Sequence, residues 1–378
     1  MRLHIALSSL TVMFLTGCNN SVKNHHEVAT IPIDVNNISD DASSFFDGWE
    51  FTALETTPEN LISDVDKLDV SDSLIAICSN KIFHIFRRDG KWLSSFNHLG
   101  QGPGEYLFPT DVKIHDGAIY VMCSSSRKIH KYNTDGKHLA TYDVKNPYVE
   151  FDFIDNNRIL LASGDANFVS KHEYAIYDIP SSKIISESGY LKDPSAWVID
   201  GFRPIVTNDG NKPLVTRLFD YTIYQYEDGD TTLMPFVKYE FNTPVSIHEY
   251  DGMTLDQKCE NSRYKQVVRY LGQLQDFDKT LFQEFTFMGD RGLSSYIYKY
   301  DKNAKTGKLL EMGSDYYKDF PYLASRARLI KDGNYISVLA PFSVNYIENN
   351  TGARDISDKV KLNDDDNPVI VFHHFKKD

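Results

Sequence analysis

Leu68-Asp69-Val70, Ser71-Asp72-Ser73, Leu74 to Cys78, Lys81-Ile82-Phe83-His84-Ile85-Phe86, Arg88-Asp89-Gly90-Lys91, then Trp92 to Phe96: this stretch decides the fold, because it recurs. The second copy is Val112-Lys113-Ile114, His115-Asp116-Gly117, Ala118 to Cys123, Lys128 to Tyr132, Thr134-Asp135-Gly136-Lys137, then His138 to Tyr142. Cys78 and Cys123 stand 45 positions apart; His84 and His130, and Gly90 and Gly136, stand 46 apart. Each copy has four short apolar runs separated by turn residues, the pattern of a four-stranded antiparallel meander. Asp-Gly pairs begin at 47, 89, 116, 135, 209, 228, 251 and 332. Such pairs tolerate the positive φ of tight hairpin turns.

Further units follow, less regular than the first two. A third runs through Val149 to Ile154, Arg158 to Ala162, Tyr174 to Asp178 and Ile184 to Gly189. A fourth takes Phe202 to Val206, Pro213 to Leu218, Thr222 to Tyr226 and Leu233 to Tyr239. The fifth takes Leu281 to Phe287, Ser294 to Tyr300 and Leu309 to Met312, and the sixth Ala327 to Ile330 and Tyr335 to Leu339. The sixth is short of strands. Val369 to Phe375 at one end of the chain and Phe51 to Leu54 at the other can supply them, and pairing both ends in one sheet removes its exposed edges. The expected fold is all-β: a six-bladed β-propeller over residues 48–378, its last blade closed by N- and C-terminal strands.

Two segments interrupt the pattern. Tyr264, Val267, Val268, Leu271 and Leu274 recur at spacings of three and four, which predicts an amphipathic helix inserted over about 256–278. Residues 340–366 form a second insertion ending in Asp364-Asp365-Asp366. This run lacks the alternation and terminal glutamate of an EF-hand and reads as a solvated loop.

Ahead of the body, Arg2 and the mainly apolar Leu3 to Leu15 read as a secretory signal over residues 1–17, too short to span a bilayer. Residues 18–47 read as a polar tether. The net charge of −13 over 378 residues argues against nucleic acid, which rewards a basic face. Four cysteines are too few to staple a chain of this length.

Leu15-Thr16-Gly17-Cys18 resembles a bacterial lipobox, which implies lipid on the Cys18 sulfur. Asn19 follows, rather than the aspartate linked to inner-membrane retention, so the expected address is the outer membrane. Three further stretches resemble the six-bladed propeller lipoproteins of gut Bacteroides, related in fold to NHL-repeat propellers. They are Phe51-Thr52-Ala53-Leu54-Glu55-Thr56, Gly100-Gln101-Gly102-Pro103-Gly104-Glu105-Tyr106 and Asn367-Pro368-Val369-Ile370-Val371. The resemblance implies a fold and an address, with no common reaction. The glycine stretch reads as a connector between blades. It lacks the Gly-Lys-Ser/Thr ending of a phosphate loop.

The sequence nominates no catalytic group, metal centre or cofactor. His84 and His130 hold equivalent positions, which could set both near one axis or equally on a sheet face between blades, and zinc would need three or four convergent ligands. No Gly-x-Ser-x-Gly or Cys-x-x-Cys occurs. Cys78 and Cys123 read as buried thiols on neighbouring blades. The candidate ligand-binding residues are Trp197, Arg203, Arg217, Tyr221, Arg291, Arg326 and Arg328, near strand starts in the less regular half. Aromatic faces with arginines suit sugars or anionic glycans. The expected function is a monomeric, lipid-anchored envelope protein that binds a ligand, glycan or protein partner without catalysis. The alternative is a channel-centred glycan lyase or hydrolase.

Overall fold

The computed structural model describes residues 28, 30–163, 172–190, 202–206, 212–226, 233–289, 292–313, 317–324 and 327–377. Within them, runs of β-branched and aromatic residues pair into six four-stranded antiparallel blades, and the innermost strands lie side by side around a common axis. Blade 1 is Lys67–Val70, Leu74–Ser79, Ile82–Arg87 and Trp92–Phe96. Blade 2 is Asp111–His115, Ala118–Cys123, Lys128–Tyr132 and His138–Asp143. Blade 3 is Glu150–Phe153, Arg158–Ala162, His172–Asp178 and Lys183–Tyr190. Blade 4 is Ile205–Val206, Leu214–Val215, Thr222–Tyr226 and Leu233–Phe241. Blade 5 is Leu271–Asp276, Thr280–Gly289, Gly292–Asp301 and Thr306–Met312.

Blade 6 closes the ring as the sequence predicts. Leu329–Lys331, Asn334–Leu339 and Val369–Phe375 come from the C-terminal part, and Phe46–Ala53 pairs outside them, with Val371 opposite Phe51. Two stretches that carry the family resemblance meet at this closure. The Asn367 side chain donates to the Glu55 and Asn60 carbonyls at 2.9 and 3.1 Å and accepts from the Ile62 N–H at 2.8 Å. The Asn367 N–H donates to the Thr56 hydroxyl at 2.9 Å. One buried amide thus ties the entering strand to the closing one.

The core lies between neighbouring sheets. Cys78, Phe83 and Phe96 of blade 1 pack with Val112, Cys123 and Tyr132 of blade 2. Both cysteines are buried and unbridged. The glycine stretch is a blade-to-blade connector whose Tyr106 joins this cluster and donates to the Lys81 carbonyl at 2.9 Å. Glu105 folds back over Gly100 and Gly102, accepting from the Gly102 N–H at 2.7 Å. A Cβ at Gly100 would displace that carboxylate from its place over the loop.

Antiparallel alternation gives the ring two unlike faces. On one face, first strands turn into second and third into fourth, through pairs such as Asp116-Gly117 (φ 50 and 67) and Asp332-Gly333 (φ 51 and 73). On the other, the entry face, innermost strands begin and the longer connections lie. Not every Asp-Gly pair makes a hairpin. Asp47-Gly48 lies within the closing strand, and Asp251-Gly252 follows a 3-10 turn at Ile247–Tyr250. The pairs at 209 and 228 lie outside the described residues.

Two expectations change, and one insertion gains a helix. The inserted helix, α1, covers only Leu255–Ser262, where Thr254 and Gln257 form a capping box. Leu271–Asp276 is instead the innermost strand of blade 5. A bulge between Leu271 and Leu274 turns both into one core cluster, and the resulting three-residue spacing imitates a helical period. The second insertion, of which only the acidic end reads as a loop from sequence, carries a second helix, α2, Pro341–Thr351, ended by Gly352 at φ 79. The segment that reads as a polar tether over 18–47 is docked on the ring from Thr30 on. From there, Thr30–Ile33 pairs in parallel with the outer strand of blade 4 and Ile38–Ser39 with that of blade 5. Ile31, Ile33 and Val35 are buried. The N-terminal segment is a strap crossing blades 4 and 5 before closing blade 6.

Candidate functional site

The innermost strands place alternate side chains in the channel. In Asp111-Val112-Lys113, the charged residues line the axis while Val112 packs into the core. Glu150-Phe151-Asp152 repeats the arrangement. The charges form a ladder between blades. Lys331 of blade 6 meets Asp69 of blade 1 at 2.8 Å, and Lys113 of blade 2 meets Asp152 of blade 3 at 3.6 Å. Arg203, entering blade 4, meets Glu150 at 2.9 Å and Asp111 at 3.6 Å. Backbone amides complete the carboxylates: Ile114 N–H donates to Asp69 at 2.6 Å, Phe151 N–H to Asp111 at 3.2 Å and Ile205 N–H to Glu150 at 3.0 Å.

These contacts set the protonation states. Burial pushes the Asp111 carboxyl up to about 6 against the pull of Lys113, and Glu150 adds to the rise. Burial works against the Lys113, Lys331 and Arg203 cations. Carboxylate neighbours more than offset it, so all three are held above their ordinary values.

At the entry face the channel opens into a cavity of about 580 Å³. Its wall includes Asp66, Lys67, Asp111, Glu150, Phe202, Arg203 and Arg328. A recess of about 40 Å³ adjoins it between blades 5 and 6, sharing Arg203 and Arg328 and adding Tyr270, Gln273, Glu284 and Thr286. Although ringed by protein, the Arg203 side chain keeps 32% of its surface exposed because it faces this space.

Of the residues nominated from sequence, the structure brings Arg203 and Arg328 together at the mouth. Arg217 sits elsewhere, between blades 3 and 4, 2.8 Å from Glu173 and over the Tyr224 ring. Tyr221 is a core residue rather than a surface one: its hydroxyl donates to the Val268 carbonyl at 3.1 Å and its ring packs edge-on to Phe241. Trp197, Arg291, Arg326 and Cys18 lie outside the described residues. Sequence reasoning missed Lys67, Asp69, Asp111, Lys113, Glu150, Asp152 and Lys331. A signal was present: charges alternating with apolar residues in the first strand of a blade.

His84 and His130 lie away from the channel, on third strands. They contact Ser95 and Thr141 at 2.8 and 3.0 Å, as expected for a sheet face. Among the described residues no group of three or more histidines, cysteines or carboxylates is arranged to hold a metal, and no helix is long and apolar enough to cross a membrane.

A family model described as a domain of unknown function, DUF4934, matches residues 28–374. Among solved structures, a Bacteroides fragilis protein described as exported superposes with a TM-score of 0.71 at 17% identity, over 92% of this chain and 100% of that one. A Bacteroides vulgatus member of the DUF4221 family superposes with a TM-score of 0.51 at 9% identity, over 87% and 98%. No curated protein matches.

Proposed function

Since the chain belongs to the DUF4934 family, whose match takes in all six blades, we propose that it is a lipid-anchored envelope protein that binds a glycan at the entry-face mouth without catalysis. One observation carries the binding reading: a cavity of about 580 Å³ opens where the longer connections lie, with planar polar side chains and the Phe202 ring in its wall. Sugars are recognised through such groups, hydrogen bonds to hydroxyls combined with contact to an aromatic face. The secretory signal and lipobox-like Leu15–Cys18 support the address, as does the exported description of the fragilis protein. A glycan array probed with the purified protein tests this reading. Binding to a glycan class that is lost in Phe202→Ala is the expected result; silence across the array favours a protein partner instead. Metabolic labelling with palmitate tests the anchor, with label expected on the native chain and lost in Cys18→Ala.

The second reading, a glycan lyase or hydrolase, has one observation in its favour: the raised Asp111 carboxyl beside Glu150 in a cleft. Both carboxylates are already engaged by Arg203 and by backbone amides, which suits a structural role better. Release of new reducing ends or unsaturated products by the wild type, abolished in Asp111→Asn, would establish the enzyme.

A further inference from the structure

Where blade 6 meets blade 1, two levels of the seam differ. Deeper in the channel, Lys331 has a carboxylate partner, Asp69, at 2.8 Å. At the mouth, Lys67 opens the innermost strand of blade 1 and Arg328 directly precedes that of blade 6. Both line the cavity. Among the described residues, neither side chain has a hydrogen-bond or ion-pair partner. The Arg328 backbone is nevertheless fixed, its N–H donating to the Ile336 carbonyl at 2.8 Å. The position of the guanidinium's root is therefore set by the sheet.

Each carboxylate around the cavity accepts at least one hydrogen bond from the protein. Asp111 and Glu150 belong to Arg203 and to backbone amides. Asp66, exposed beside Lys67, accepts from the Asn80 N–H at 2.9 Å. Glu284 accepts from the Gln273 N–H at 3.2 Å. Lys67 and Arg328 are therefore the cations of the mouth that have no carboxylate partner among the described residues. An arginine offers five N–H donors and a lysine three, and a charged acceptor is what such a pair recognises most strongly.

We infer that Lys67 and Arg328 form a subsite for an anionic group, and that the mouth accordingly takes an acidic glycan, one bearing uronate carboxylates or sulfates. This inference rests on the glycan reading given above and narrows it. The ligand's anion supplies at the mouth the partner that Asp69 supplies to Lys331 below. Phe202 and the polar wall then meet the sugar ring.

The test is titration calorimetry of the full chain in detergent against four hexasaccharides: oligogalacturonate, a heparin fragment, maltohexaose and xylohexaose. Oligogalacturonate and the heparin fragment separate carboxylate from sulfate; the other two are neutral. At least one acidic probe should bind, at least about tenfold tighter than the neutral ones, the scale of a charge-assisted hydrogen bond. Raising NaCl from about 20 to about 500 mM should weaken it, since the pair is open to solvent. Arg328→Gln and Lys67→Gln should each lower affinity for the acidic probe about tenfold. Neither substitution breaks an internal ion pair, so both variants should keep the wild-type melting temperature. Neutral and acidic probes bound alike, or affinity unmoved by both variants but lost in Phe202→Ala, would overturn the anionic subsite while leaving the glycan mouth standing. Failure of all four probes would overturn both.

Discussion

The outer edge of the ring is made in two ways. Among the described residues, blades 1 to 3 end on outer strands that no further strand covers, Trp92–Phe96, His138–Asp143 and Lys183–Tyr190. In blades 4 to 6 the N-terminal strap covers or supplies the edge. The inner strands of blades 4 and 6 differ in the opposite sense. Those of blades 1 to 3 have four to six residues and those of blade 5 six and ten, whereas both inner strands of blade 4 have two and the innermost of blade 6 has three. A short strand forms few ladder bonds and buries little side chain. Blade 4, the weakest at the axis, is thus strapped at the rim, and blade 6 takes its outer strand from the same N-terminal segment. Local pairing suffices for the first three blades, and chain ends distant in sequence hold the last three.

The largest effect should come at the joint between the halves. Arg203 belongs to blade 4, and its partners Asp111 and Glu150 to blades 2 and 3. Arg203→Ala leaves buried Glu150 without its cation, while Asp111 keeps the pull of Lys113, and should cost about 3 kcal/mol. Denaturant unfolding measures this. A loss under about 1 kcal/mol would mean that the halves are not joined through this residue.

Next comes the strap. Its Ile33 is 1% exposed, so Ile33→Ala should cost about 2–4 kcal/mol. Amide exchange should speed up in blades 4 and 5 while blades 1 and 2 keep their protection. Uniform loss of protection would show one cooperative ring and remove the contrast.

Acid should also find the last blade. His373 is fully buried against Phe46, Phe320 and Tyr335, and burial pulls its pKa down to about 3. Above about 6.5 neither the folded nor the unfolded chain protonates this ring, and nothing is lost. Below it the unfolded chain takes up the proton first, so stability falls from about pH 6.5 towards pH 3. At pH 4.5 this group should cost about 2–3 kcal/mol. Asp111 acts with the opposite sign: its raised pKa makes its contribution fall as pH rises from about 4 to 6. The His373 effect is therefore read from the difference between wild type and His373→Phe. The variant should gain stability relative to wild type as pH drops from 7 to 4.5, and parallel curves would rule the histidine out.

The same contrast explains how far the sequence could be read. In blades 1 and 2 the pleat, the Asp-Gly turns and a 45- to 46-residue spacing all agree, so strand positions were legible almost to the residue. The N- and C-terminal sharing of blade 6 was legible because an open sheet edge demands a partner. The strap was not legible, since Thr30–Ile33 and Ile38–Ser39 are short, polar on one side, and make sense only against distant strands. The innermost strand of blade 5 was hidden by its own bulge. At the mouth, Arg203 and Arg328 stood out as arginines near strand starts, whereas Lys67, Asp111 and Glu150 gained meaning only when the ring closed and set blades 1, 2, 3, 4 and 6 around one opening.

The smallest expected effect tests whether the bare edges matter. Leu93, Leu139 and Ile185 each stand three residues after a turn residue with positive φ (Gly90, Gly136 and Ser182), on the outer strands of blades 1, 2 and 3. Leu139, on an outer strand, is 50% exposed, against 1% for Ile33 of the strap. Both are aliphatic side chains at the rim of one ring, one facing solvent and the other turned into the core. Leu139→Lys should change stability by less than about 0.5 kcal/mol, as surface substitutions do. A charge at that position also guards an open edge against pairing with another chain, so the variant should be at least as soluble as the wild type. A loss near that of Ile33→Ala would mean that the edge of blade 2 is covered in solution, and that the ring is not bare where the strap ends.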